Sequence, residues 1–326
     1  MSATTTFDTY RAVGIREDLA DVIYNIAPTD TPFVSNIGSG SAKGIRHEWQ
    51  KDTLASPSDS KVAEGANAVI TQLDPTVRLY NICQINQKAL TISGSDLVAD
   101  NAGRGVEMAY QEAKKGLELR RDIEYTCVAV NRIPAAGTGN SGGSPTARGA
   151  ATLKGWLSSN VNVSATGTPS VKVVDPGGAS WAAMTLAGTD RAFTESMLTG
   201  IIDEIYLEGG NPDTIMANTV QKRVITNSFV GRADSIVDQD LKGKRIVSAV
   251  DFYESDYGVL SIVPNRYMTQ DSVFVLDTEM WEISYYRPFM TKDLAVTGDN
   301  ESKQMIVEWT LTSKQEAASG AIYDLT

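Results

Sequence analysis

The stretch from Asp96 to Val130, DLVADNAGRGVEMAYQEAKKGLELRRDIEYTCVAV, constrains the fold more than any other part of the chain, because it is the longest segment that can be helical. From Val106 onward no proline interrupts it for 28 residues, and a helix of that length would run about 40 Å at about 1.5 Å per residue. Asp96 and Asp100 stand near its N-terminal end, and Lys114, Lys115, Arg120 and Arg121 follow, the order that suits capping and the helix dipole. Its apolar positions run Val106, Ala109 or Tyr110, Ala113 and Leu117, then shift to Leu119, Ile123, Cys127 and Val130. One stripe does not serve the whole rod. A long spine lying across different partners fits this shift; two shorter helices or a kink at Gly116 would also produce it, and Gly103 and Gly105 leave the start of the helix undefined.

A chain of 326 residues, 42% of them hydrophobic, supports one large or two ordinary domains with real cores. The formal charge of -11, from 40 acidic and 29 basic side chains, argues against general coating of nucleic acid, which depends on Lys and Arg neutralising phosphates. It leaves room for a protein that encloses nucleic acid without gripping it. No segment has the apolar length of a signal peptide or a bilayer span, so a soluble protein made inside the cell is expected, with no membrane partner. Cys83, Cys127 and the single histidine supply neither a disulfide framework nor a structural zinc set.

Residues 1–44 start polar, then carry Leu19, Val22, Ile23 and Ile26 on one side of a short helix predicted for Asp18–Ile26 and ended by Pro28. Thr31-Pro32 and the glycines at 38, 40 and 44 predict turns and extended chain. Such an arm either packs along a neighbouring surface or forms a domain edge. In residues 45–52, Ile45, His47 and Trp49 alternate with Arg46, Glu48 and Gln50, a half-buried strand. After a turn-prone span from Leu54 to Asn67 the chain returns through a Val-, Ile- and Thr-rich run interrupted at Asp74-Pro75, giving a long two-stranded ribbon. A lone ribbon exposes its edges and needs a partner, either another subunit or the chain's own sheet.

Beyond the spine, residues 131–159 are turn-rich and residues 156–174 predict short strands. Residues 186–210 predict a helix through Phe193, Met197, Leu198, Ile201, Ile202, Ile205 and Tyr206, capped by Thr189 or Asp190 and stopped by Gly209-Gly210. A strand in PDTIMAN, a helix over Thr219–Ser228 and a strand over 259–265 complete an α/β lobe at 186–270. Residues 272–289 and 304–317 are strands with differently buried faces, Val307, Trp309 and Leu311 opposing Ile306, Glu308 and Thr310, and pack beneath the spine.

No motif carries chemistry. Gly137–Gly142 fits G-x-G-x-x-G and Gly139–Gly143 fits G-x-S-x-G, but neither has the strand-to-helix context that makes such loops work. His47 is explained by its strand face, and Cys83 and Cys127 lack a C-x-x-C context. Asp251, Glu254 and Asp256 lack the spacing of a calcium loop. Lys242, Lys244 and Arg245 follow Asp238 and Asp240 and suit a surface or subunit contact, and the five tryptophans are dispersed as structural residues are. No catalytic, cofactor-binding or metal residue is assigned.

The text Gly14–Gly38, GIREDLADVIYNIAPTDTPFVSNIG, with its REDLADVIYN-to-PTDTP spacing, followed by His47-Glu48-Trp49, Asp52 and Leu54-Ala55, resembles the major capsid proteins of tailed bacteriophages. The resemblance implies an α+β fold of the Hong Kong 97 type. It would divide the chain into an N-terminal arm at 1–44, an extended β-hairpin loop at 45–92, a peripheral domain at 93–185 with the spine helix near 94–131 and a glycine-rich connection, an axial domain at 186–270, and return strands of the peripheral domain at 271–326. It also implies a non-enzymatic shell subunit that assembles in the host cytoplasm into the pentamers and hexamers of an icosahedral virion head. Double-stranded DNA would be enclosed without sequence-specific binding. A portal protein at one vertex, a cementing protein and, since the resembling text begins almost at Met1, a separate scaffolding protein are the implied partners. The covalent subunit links that Lys51, Lys61 and several asparagines would invite show no paired geometry or acid catalyst in the sequence and are not carried over. The competing readings are an α/β enzyme using acidic residues around Asp251 and Glu254, and a phage decoration or host-binding protein.

Overall fold

The computed structural model describes residues 28–52, 54–68, 70, 75–99, 106–133, 147–166, 181, 185–229 and 251–326. The N-terminal part holds α1 (Pro32–Asn36), β1 (Gly38–Ser41), β2 (Arg46–Lys51), β3 (Val77–Ile82), β4 (Gln84–Ser93), α2 (Gly94–Val98) and α3 (Glu107–Val128). The middle holds α4 (Leu153–Trp156), β5 (Asn160–Asn162), α5 (Glu195–Leu207), β6 (Thr214–Ala217) and α6 (Thr219–Val224), the last continuing into a π-helical turn over Ile225–Phe229. β7 (Phe252–Ser255), β8 (Gly258–Pro264), β9 (Val273–Leu276), β10 (Trp281–Asp293), β11 (Asn300–Ser313) and β12 (Gly320–Ile322) complete the described elements.

The spine is α3, and it is shorter than the expected rod. It begins after Val106 and runs unbroken through Gly116, while Asp96 falls in α2, separated from α3 by the Gly103/Gly105 region, which lies outside the described residues. The two apolar stripes also have different fates. Leu119, Ile123 and Cys127 are wholly buried, but Val106 and Leu117 stay exposed, and in the N-terminal half only Glu107 and Met108 are buried. The helix lies over a sheet of order β1-β10-β11-β4 and is tied there by charge in both halves: Lys303 meets Glu112 at 2.8 Å and Lys88 meets Asp122 at 2.8 Å.

β10 and β11 form a long antiparallel pair whose register shifts between Tyr285, Arg287 and Met290, around Pro288, which cannot donate to the ladder. From Ile306 to Ser313 both faces of β11 are buried, so the expected difference between its faces is absent. Glu308 is the cost of that burial. Its carboxylate is only 2% exposed and is met by Arg148 Nη2 at 2.5 Å and Arg287 Nε at 2.7 Å, the pairing without which a buried charge is strongly destabilising.

The second sheet, of order β5-β12-β9-β6-β8-β7, mixes parallel and antiparallel pairs. One face, through Ile215, Val273, Val275 and Ile322, packs on α5 (Leu198, Ile201, Ile202, Ile205) and the start of the π turn (Ile225); the other, through Met216, Phe274 and Tyr323, joins the core that holds Ile123 and Trp156. The lobe expected within 186–270 thus shares its sheet with β5, β9 and β12, which come from outside that range. α5 begins at Glu195 after Thr194, with no side-chain cap from Thr189 or Asp190, and ends where Gly209 takes a φ of +86°, a conformation glycine adopts without strain. No helix among the described residues is long and apolar enough to cross a membrane.

Candidate assembly interface

Residues 28–44 are moored to the subunit's own core. Pro32 opens α1 at the position where its missing N–H costs nothing. The exposed helix N-terminus is received by Glu124 of α3: Oε1 accepts from Phe33 N at 2.9 Å and Oε2 from Val34 N at 2.8 Å, while Asn265 Nδ2 donates to Oε1 at 2.6 Å. Glu124 and Phe33 are fully buried. Burial holds the Glu124 carboxyl above its usual range, and the three donors offset only part of that rise. Arg120 adds a bond to Ser35 Oγ at 3.0 Å, and Tyr267 donates to the carbonyl of Pro28 at 2.9 Å. β1 then pairs in parallel with β10. Residues 28–44 thus pack on the subunit's own core; the helix expected over Asp18–Ile26 lies outside the described residues.

The ribbon divides into a fixed root and an exposed excursion. β2 and β3 pair from Arg46↔Ile82 to Lys51↔Val77 as a two-stranded sheet of their own. At the root, Trp49 donates to Ser313 O at 2.7 Å and its ring stands 5.4 Å from that of Trp156, which in turn is 4.7 Å from Trp181. Tryptophans dispersed in sequence thus meet in one cluster. Buried Asn81 bonds Leu311 O at 2.6 Å and Ala151 N at 2.9 Å. Beyond this root every residue of 54–68 is exposed, and Leu54 (99%) and Ile70 (94%) touch almost nothing. A turn closed by Ala66 N to Ala63 O at 3.0 Å, with Gly65 at a φ of +80°, sits within it. A second exposed surface caps the lobe, where Tyr206 of α5 stacks on Tyr257 with ring centroids 4.3 Å apart and the adjoining Leu207 is exposed.

The residues weighed for chemistry are not brought together. His47 is half-buried, 5.6 Å from the Trp49 ring, and burial lowers its pKa against the pull of Glu282. Cys83 and Cys127 are both fully buried and free; burial pushes the Cys83 thiol up to about 12 and Cys127 well above its ordinary value, which removes the thiolate that reactivity needs. Asp251 is 3.3 Å from Lys222 Nζ, and no three His, Cys, Asp or Glu among the described residues stand close enough to hold a metal. The glycine motifs at 137–143 and the basic group Lys242, Lys244 and Arg245 lie outside the described residues.

What this arrangement presents is apolar surface in two separate places and, among the described residues, no convergent reactive groups. A family model described as the SU10 major capsid protein matches residues 1–326. The chain belongs to that family. The major capsid protein of Escherichia phage Phieco32 is 27% identical over 350 residues, covering 99% of this chain and 98% of its own length. Among solved structures, the capsid asymmetric unit of cyanophage A-1(L) superposes with a TM-score of 0.63 at 14% identity, covering 98% of each chain. The capsid of a native GTA particle gives 0.62 at 9% identity over 100% of this chain and 99% of that one, and a chain from Gordonia phage Cozz gives 0.58 at 11% over 99% and 96%. The fold is α+β of the Hong Kong 97 capsid type. As a member of the major capsid protein family, the subunit is structural and not catalytic: it forms the shell of an icosahedral phage head and resides in the virion. The sequence pointed to the ribbon and the spine but not to Glu124, whose role depends on two backbone N–H groups 90 and 91 residues away.

Proposed function

We propose that the subunit closes its shell by reaching out from a self-sufficient body. In this reading α3 is the spine of a peripheral domain, the region 186–270 is the core of an axial domain, the return strands 271–326 bind the two, and the 45–92 loop is the part that engages neighbours, with its reach confined to the excursion between β2 and β3. Copies associate as pentamers and hexamers in the bacterial cytoplasm. A separate scaffolding protein, a portal protein at one vertex and a cementing protein are the further partners proposed, and the enclosed double-stranded DNA is held without sequence recognition, in keeping with a net charge of -11.

The observation that carries this reading is the exposed excursion on a buried root: Leu54, Val62 and Ile70 are 99, 74 and 94% exposed, although Trp49 and Asn81 at its base are locked. Apolar surface buried on association contributes about 25 cal/mol per Å² before the cost of lost freedom, so many weak copies of one contact make a firm lattice. Deleting residues 54–68 is expected to abolish shells in negative-stain images of subunit co-expressed with its scaffold while leaving the far-UV dichroism and melting point of the subunit near wild type. Normal shells from the deletion would contradict the reading.

A further inference from the structure

One face of α3 is left largely open by the described residues. Val106 at its start, Ala113, Leu117 and Tyr125 are exposed, and with half-buried Tyr110 and Arg121 they recur at the period of a single helix face. Charge on the helix is sorted around that face. Glu112 meets Lys303, Glu118 meets Lys115 and Asp122 meets Lys88, each at 2.8 Å, and Glu124 is taken up by the first N–H groups of α1. Lys114 and Arg121, along one border of the open face, have no carboxylate bound to them among the described residues. In a chain of net charge -11, the uncovered side of its spine is thus apolar with a cationic border.

We propose that residues 15–26 of the same chain lie along this face as an amphipathic helix and cover it in the single subunit, before any shell forms. The text IREDLADVIYNI puts Ile15, Leu19, Val22, Ile23 and Ile26 on one side of a helix, with Asp18 and Asp21 along one border of that side, and Pro28 ends it. At about 1.5 Å per residue the segment is about 18 Å long, and the stretch of α3 from Tyr110 to Arg121 is about 17 Å by the same rise. The chain also arrives at the right end. Tyr267 holds the carbonyl of Pro28, and α1, which follows, sits on Glu124. The last turn of the arm helix therefore falls beside Tyr125 and its first beside Tyr110, so the two helices run parallel. In that orientation the border with Asp18 and Asp21 meets the border with Lys114 and Arg121. Apolar burial on both helices supplies the adhesion, and the facing charges, exposed and individually weak, fix which way round the helix lies.

Hydrogen exchange of the peptide 15–27 is measured in the unassembled full-length subunit at several protein concentrations. Its amides are expected to be protected about tenfold or more over the isolated peptide, equally at every concentration; free exchange, or protection that fades on dilution, overturns the proposal. Leu117→Asp places a charge in the middle of the open face and is expected to abolish that protection while leaving the melting point of the subunit within a few degrees, since Leu117 is half exposed. Lys114→Glu/Arg121→Glu is expected to weaken the protection about threefold, and Asp18→Lys/Asp21→Lys added to it to restore the wild-type value. Protection that survives Leu117→Asp, or that the second charge pair does not restore, overturns the assignment to this face. Leu19→Cys/Leu117→Cys treated with a bifunctional maleimide is expected to give a cross-linked single chain, since Cys83 and Cys127 are buried; cross-linked dimers in its place overturn the assignment to the same chain.

Discussion

Glu124 shows how one side chain positions a segment far away in sequence. Its two oxygens satisfy the first free N–H groups of α1 and bind Asn265, so α1, α3 and the turn after β8 share one buried carboxyl. Replacing it by Ala leaves the Phe33 and Val34 donors without partners in a fully buried place, at a cost of about 3 kcal/mol; Glu124→Gln keeps one acceptor and loses less. The pH dependence has a definite sign. A carboxyl whose folded pKa is raised gives a stability contribution that is complete below the unfolded value of about 4.3 and is lost as pH rises through the folded value. Urea titrations at several pH values are expected to show wild type losing ground against Glu124→Gln over that window. A stability difference that stays constant with pH would mean that the carboxyl is not raised.

At the scale of elements, α5 separates what packing demands from what the helix itself prefers. Leu198, Ile201, Ile202 and Ile205 are buried, as their spacing predicts, whereas Tyr206 is 55% exposed although it continues the same stripe. Gly200 faces open space: a Cβ there meets nothing within 4 Å, and its φ is not in the left-handed region. A glycine inside a helix costs about 1 kcal/mol relative to alanine, so Gly200→Ala is expected to raise subunit stability by about 0.5–1 kcal/mol in denaturant melts; a loss of stability would show strain that the open surroundings do not contain. α5 and β6 were legible because their apolar periods are undisturbed. The start of α3 was not, because Asp96 also suits a first turn and indeed occupies one, in α2, where Ser93 receives its N–H at 3.4 Å. Both faces of β11 are buried because Arg148 and Arg287 neutralise Glu308, and alternation of residue types carries no trace of partners 160 and 21 residues away.

At the scale of the whole molecule, the sheet that looked local in sequence is woven from distant pieces. Local patterns revealed β6 and β8 inside 186–270, yet β6 lies between β8 and β9, and β9 in turn pairs with β12, so the strands of the lobe are closed by residues 273–276, 320–322 and 160–162. Pairing across such separations leaves no periodic signal, and the strands at the end of the chain, expected beneath the spine, gave no sign in sequence that they also close the lobe. The arrangement decides whether the lobe can stand alone. Gly320 of β12 lies so close to α5 that a Cβ there would press on Ile201 and Ile205, which makes β12 part of the floor on which the helix rests. Cutting the chain to 186–270 removes that floor together with the other two strands on the β9 side of β6, β9 and β5. With about 2 kcal/mol for each buried aliphatic side chain of α5 thereby exposed, against a typical domain stability of only about 5–15 kcal/mol, the fragment is expected to be unfolded. Its amide proton spectrum would then show poor dispersion and its dichroism no cooperative melt. A fragment that melts cooperatively would mean that β6, β7, β8 and the two helices hold a core without the return strands, contrary to the strand order of the intact subunit.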